Sequence, residues 1–282
     1  MKTTRRDFLK TSLAASATTA ALAAGAPASA ADKPAASARD YYELRAYRLK
    51  PGASAALLDG YLEKALIPAL NARGISAVGV FTEVEVDKKA VTSKPKVATP
   101  EDPAVVWVLI THPTLESFVS VSAELNADPK VQTAGADYLT TPKSAPAYDR
   151  VDSWVLRSFA GFPRTKVPAF SKNPTRIFEM RDYQSHSEER ALSKMAMFNN
   201  GEIEVMKDLG MSPVFFGQAL AGPNLPHLRY ITCGPDLATH LNNWKAFGTH
   251  PTWNKLKNDP QYKDNTSKNT ARFIVPTAYS QI

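Results

Sequence analysis

Residues 42–47 read "YELRAY" and residues 178–183 read "FEMRDY". Glutamate, arginine and tyrosine fall in the same places, so Glu43, Arg45 and Tyr47 match Glu179, Arg181 and Tyr183 at an offset of 136. The alternation is that of a strand, in which side chains two apart share a face. Tyr42, Leu44 and Ala46 form one face and the charged triplet forms the other. Phe178 and Met180 repeat the apolar face in the second hexamer.

The repeat continues beyond the hexamers. The offset of 136 also carries Gly74 onto Gly210, Ser76 onto Ser212 and Val78 onto Val214. Ile110-Thr111 matches Ile231-Thr232 at an offset of 121, so the first copy holds about 15 extra residues. They are assigned to "VDKKAVTSKPKVATPEDP", residues 86–103, a polar loop containing prolines. Further on, Asp128-Pro129 aligns with His250-Pro251.

Each copy reads strand, helix, strand, strand, helix, strand. The strands are expected at 41–49, 75–84, 105–111 and 151–156 in the first copy, and at 176–184, 212–220, 227–233 and 271–276 in the second. Leu58, Leu62, Leu66 and Leu70 recur every four residues in the first helix, with Pro68 expected to kink its last turn. The matching helix of the second copy is read on Leu192, Met195, Val205 and Leu209. Gly74 and Gly210 suit left-handed helix caps, and Leu237, Leu241, Trp244 and Phe247 make the stripe of a later helix.

The order β-α-β-β-α-β is the ferredoxin-like plan. The fold class expected is α+β: two tandem ferredoxin-like domains, each an antiparallel sheet with helices on one face. The first spans 38–158 and the second 174–282, with a Pro-containing linker at 159–173. Two such sheets packed face to face would close a barrel. The apolar face of each opening strand is expected under the helices, and the charged face toward the shared interior. There Arg45 and Arg181 would hold a small anionic or polar ligand. Alternatively, the Glu-Arg pairs are structural and fix strand register.

These features resemble the NIPSNAP family. Its domains open with a "yElRxY" strand, carry a glycine after the first helix and then a β-hairpin, and have a tryptophan in the second helix and an "x-P-x-W" stretch. Trp244 and "HPTW" (residues 250–253) fit in the second copy. In the first, Ser122 stands opposite Trp244 and "DPKV" replaces "HPTW". The resemblance implies the dimeric α/β-barrel class, which includes both enzymes and binding modules, and it supplies no settled catalytic motif. The function expected is small-molecule binding or self-association through the barrel, with a homo-oligomer as one form. The alternative is a cofactor-poor or haem-dependent monooxygenase-like oxidoreductase using the interior. The candidate ligand-binding residues are Glu43, Arg45, Tyr47, Glu179, Arg181, Tyr183, Trp244 and His250.

Other chemistry finds little support. The histidines are His112, His186, His227, His240 and His250, and none lies in a metal-binding motif. His240, Trp244 and His250 could border a pocket or ligate haem, or simply pack a helix on its sheet. No cofactor or metal is expected, with haem as the alternative. No G-x-S-x-G, G-x-G-x-x-G or phosphate-binding loop is present. The one cysteine, Cys233, rules out an intrachain disulfide and reads as a small core residue.

The N-terminus reads as an export leader. Arg5 and Arg6 precede Phe8-Leu9-Lys10, an alanine-rich run follows, and "APASA" ends at Ala30. This predicts the twin-arginine (Tat) route, cleavage after Ala30, a periplasmic or extracellular protein and no membrane anchor once cleaved. Residues 1–30 carry a net +3 (Lys2, Arg5, Arg6 and Lys10 against Asp7), leaving +4 of the chain's +7. That charge is dispersed, so neither nucleic acid nor a polybasic membrane contact is indicated.

Overall fold

The strand order of the sheet carries the repeat further than the sequence could. The computed structural model describes residues 38–50 and 53–282, so the expected export leader with Arg5, Arg6 and Ala30 lies outside the described residues. The strands are β1 (Tyr41–Arg48), β2 (Gly79–Asp87), β3 (Thr92–Pro95), β4 (Val105–His112), β5 (Arg150–Ser158), β6 (Ile177–Gln184), β7 (Phe215–Ala221), β8 (His227–Gly234) and β9 (Lys268–Pro276). They form one sheet in the order β3-β2-β4-β1-β5-β7-β8-β6-β9, which β2–β9 pairing closes into a barrel. All the pairings are antiparallel. The order β2-β4-β1-β5 recurs as β7-β8-β6-β9, and the seams between the two sets are β5–β7 and β2–β9.

Pairing register corrects one sequence match. Glu43 lies opposite Ile110, and Glu179 lies opposite Thr232. Corresponding positions on β4 and β8 therefore differ by 122, not 121. The error has a physical signature: Ile110 packs toward the helices and Ile231 into the barrel. A one-residue slip exchanges the faces of a strand. The polar stretch 86–103 also departs from a plain loop, because it holds β3. Asp87 accepts from the backbone of Lys89 and Ala90 to turn the chain, and Lys94 pairs with Glu85 across the hairpin.

The faces of the opening strands are the reverse of expectation. Tyr42, Leu44, Ala46, Phe178 and Met180 fill the barrel interior, in one buried cluster with Phe81, Leu156, Phe215, Ile231 and Ile274. Aromatic contacts cross between the two strand sets, Tyr42 to Phe215 at 4.7 Å and Phe81 to Phe178 at 5.1 Å between ring centroids. An eight-stranded ring leaves an interior just wide enough for side chains, and it is the space most completely removed from water. The apolar row gains most there, about 1.5–3 kcal/mol per large side chain buried. Gly217 is part of this fit, since a Cβ there would lie 2.8 Å from the Leu156 Cβ. The charged rows lie outside the ring, beneath the helices.

Those helices carry a second echo. Leu58, Leu62, Leu66 and Leu70 are all fully buried. On a regular α-helix a four-residue repeat drifts by about 40° at each step. A π-helical turn at Leu62–Leu66, between α1 (Ala56–Tyr61) and α2 (Ile67–Ala72), widens the coil and keeps the leucines on the sheet. It falls just before Pro68, where the sequence predicts a kink. In the second set a π turn at Phe198–Glu202 separates α6 (Glu188–Met197) from α7 (Ile203–Asp208). The positions 136 residues on are Lys194, Phe198, Glu202 and Met206, all buried. Leu192, expected on that stripe, is instead exposed.

The remaining helices are α3 (Leu115–Ala127), α4 (Pro129–Ala134), α5 (Ala136–Leu139), α8 (Leu237–Thr249) and α9 (Pro251–Asn258). Thr114 caps α3 and Asp236 caps α8. The connector 159–173 is packed rather than loose. Phe159 and Phe162 are buried against Phe216, and Arg164 and the Thr165 amide bind Asp40.

Candidate functional site at the barrel mouth

The eight residues singled out by sequence fall in three places. Glu43, Arg45 and Tyr47 are together: Arg45 Nε donates to Glu43 Oε1 at 2.6 Å and its Nη1 to the Tyr47 hydroxyl at 3.3 Å. His112, at the end of β4, lies 3.4 Å from the other Glu43 oxygen and 3.1 Å from Ser117. Burial pushes the Glu43 carboxyl up, but the His112 hydrogen bond and the Arg45 charge outweigh it and hold the group below its ordinary range.

Glu179, Arg181, Tyr183 and Trp244 are likewise together. Arg181 lies 3.3 Å from Glu179 and stacks 4.4 Å above the Trp244 ring. His240 Nε2 lies 2.9 Å from Glu179 and 3.1 Å from Trp244 Nε1. Burial again raises the Glu179 carboxyl, and His240 with Arg181 brings it below the ordinary value. The two histidines come from different elements for a steric reason. Gly234 holds the β8 position that His112 holds on β4, and a Cβ there would sit 2.9 Å from the His240 Cβ. A small residue on the strand admits a histidine from the helix. His250 stands apart, capping α9 by accepting from the Thr252 amide.

These two clusters do not face one another across the interior; each lies under its own helices. Neither arrangement suits haem. His240 is fully buried between Glu179 and Trp244, His250 is committed to a helix cap, and the barrel core is filled with side chains. Among the described residues no three His, Cys, Asp or Glu side chains gather as a metal site.

The polar chemistry inside the barrel sits at one mouth, where a cavity of about 160 Å³ opens beyond the apolar core. The strand ends with Arg48 and Gln184 rim it, and Ala46, Trp107, Trp154, Asp182, Arg229 and Arg272 are among its lining. Asp182 is the departure in "FEMRDY" that matters: it occupies the inward position of Ala46. It accepts from Arg229 Nε at 3.0 Å and Nη2 at 2.7 Å. Arg229 is almost wholly buried, its guanidinium 4.2 Å over the Trp154 ring, and Nη1 has no hydrogen-bond partner among the described residues. Arg272 lies 5.6 Å over Trp107 and 3.2 Å from Glu83, which also receives Trp107 Nε1–H at 2.9 Å and Lys96 at 2.7 Å. Burial, with Arg272 adding its like charge, pushes the Arg229 guanidinium down despite Asp182.

The register shows how this mouth is built. Trp107 lies opposite Ala46 on β1, and Arg229 lies opposite Asp182 on β6. Trp154 lies opposite Leu44, and Arg272 lies opposite Met180. Each tryptophan of one strand set thus has an arginine at the corresponding place of the other, and the contacts pair Arg229 with Trp154 and Arg272 with Trp107. Sequence reasoning missed this site. A charged residue on the otherwise apolar face of "FEMRDY" was the available clue.

The class this architecture defines is the closed antiparallel α/β barrel, with helices packed outside the ring. It is similar to a candidate monooxygenase from Lactobacillus acidophilus, with 7% identity, TM-score 0.53, and coverage of 84% of this chain and 94% of that one. It is also similar to a candidate monooxygenase from Fusobacterium nucleatum, at 8% identity and TM-score 0.52, covering 85% and 93%. At such identities the likeness shows the fold alone. More particularly, residues 178–281 match the NIPSNAP family model. An uncharacterized NIPSNAP-like domain protein from Burkholderia xenovorans is similar over 38% of this chain and 89% of its own, with 15% identity and TM-score 0.34. No curated protein matches the chain significantly.

Proposed function

We propose that the chain is an exported, tandem NIPSNAP-type barrel protein that binds a small polar molecule at the barrel mouth. The NIPSNAP match over 178–281 and the recurrence of its strand order in β1–β5 support two tandem domains. The twin-arginine sequence at Arg5-Arg6 and the Ala30 cleavage site support Tat export. One observation carries the binding reading: Arg229, almost wholly buried and with Nη1 unpartnered among the described residues, lines the cavity at the mouth together with Arg272, Trp107 and Trp154. Stranding a guanidinium donor away from water costs about 1–3 kcal/mol or more, and a ligand acceptor relieves it. The oxidoreductase alternative would need an enclosed apolar chamber. Tyr42, Phe81, Phe178 and Phe215 occupy that space, so binding is the better reading.

Native mass spectrometry of the mature protein from the exported fraction tests it. The expected result is a small organic adduct, released on denaturation and lost when Trp154→Ala removes a wall of the mouth. A bare protein whose melting temperature no small polar metabolite raises would overturn the proposal.

A further inference from the structure

Resting on that reading of the mouth, the geometry points to a small organic monocarboxylate as the ligand, its carboxylate bridging Arg229 and Arg272 and its body lying against Trp107 and Trp154. Two guanidinium groups lie near the Trp107 ring, at 5.8 and 5.6 Å from its centroid. They are like charges brought together in a partly desolvated space, an arrangement that an anion between them stabilises. Arg229 already gives Nε and Nη2 to Asp182, and its Nη1 has no partner among the described residues. Arg272 is held to Glu83 through Nε, which leaves its terminal nitrogens free to turn toward the cavity. In the inferred complex the carboxylate takes one donor from each arginine.

Charge and shape narrow the class. The lining holds four cationic side chains and three carboxylates, a net charge of +1. A monoanion neutralises it, whereas a phosphate dianion would leave the lining with a net charge of −1. The volume of about 160 Å³ is on the order of ten water positions. Trp107 and Trp154 stack with centroids 6.0 Å apart, and both line the cavity as its aromatic wall. That wall suits a short acyl chain or a single ring.

Quenching of tryptophan fluorescence, with benzoate, butyrate, benzamide and inorganic phosphate as probes, tests the inference at low salt. Benzoate or butyrate should bind at least tenfold more tightly than phosphate or neutral benzamide. Arg272→Gln and Arg229→Lys should each weaken carboxylate binding at least tenfold, with circular dichroism confirming a folded barrel. An Arg229→Met/Asp182→Met double variant, which removes both halves of the buried pair, should also lose binding. Tighter phosphate, or carboxylate affinity unchanged in the folded variants, would overturn it. Benzamide binding at the mouth without carboxylate binding would sink this inference and leave the binding reading standing. No quenching by any probe, with a bare protein by mass spectrometry, would sink both.

Discussion

The buried pair Lys194–Glu202 allows a sharp test of the repeated helix frame. Its positions correspond to Leu58 and Leu66, and all four side chains are buried. Lys194 Nζ lies 2.8 Å from Glu202 Oε2. At an effective dielectric of about 20 their attraction is about 6 kcal/mol, and removing two ions from water costs several kcal/mol each. The pair thus contributes little net stability, whereas either charge alone is costly. Glu202→Leu should destabilise by about 3–5 kcal/mol, because it strands Lys194 among Phe198, Tyr183 and Trp253. The double variant Lys194→Leu/Glu202→Leu restores the pattern of the first strand set and should equal the parent or exceed it by about 1–4 kcal/mol. Urea unfolding followed by circular dichroism measures all three. A double variant as unstable as the single would refute the equivalence. The pH dependence gives a second reading. Burial holds the Glu202 carboxyl above its ordinary value, with Lys194 offsetting part of the rise. A raised carboxyl favours the folded state more as pH falls through its folded value, so the parent should gain on the double variant as pH falls toward the ordinary carboxylate range.

Other expectations follow from the outer clusters. Arg181→Leu should cost about 1–3 kcal/mol and more than Arg181→Lys, since it leaves Glu179 to His240 alone; equal melting temperatures would show Glu179 to be solvated. Gly234→Ala should cost about 1–3 kcal/mol by driving a methyl into His240, and an unchanged melting temperature would mean that the His240 seat is loose. Glu43 and Glu179 are held below their ordinary values, so their stabilisation is present above the unfolded carboxylate pKa of about 4.3 and is lost as pH falls through the folded values. Glu43→Gln/Glu179→Gln should therefore be less stable at pH 7 and flatter in melting temperature from about pH 5 to 3. A parallel acid limb would count against both assignments.

Much of the fold was legible because local patterns and tertiary demands agree. The alternation in β1 and β6, the glycines at 74 and 210 and the order of elements all survive in the structure. What was not legible was which face of β1 looks inward. Alternation names two faces without saying which is buried deeper, and both faces here are buried. The stripe of α6 was misread because Lys194 and Glu202 are polar yet buried, and hydropathy alone cannot show that two charges neutralise one another. The mouth was missed because its members come from seven strands, β1, β2, β4, β5, β6, β8 and β9. Only the β5–β7 seam between the two strand sets brings Trp154 beneath Arg229.

The tryptophan–arginine correspondence has a consequence for how such a mouth can arise. In a ring made by two identical subunits, every residue meets the same choice on the far side. An indole at one position then obliges an indole at its mate, and a cation obliges a second cation. Joining both strand sets in a single polypeptide lifts that obligation: one side can specialise in flat apolar surface while the other supplies positive charge. A binding site with different ends, able to orient an amphiphilic guest, becomes accessible only once symmetry is no longer enforced.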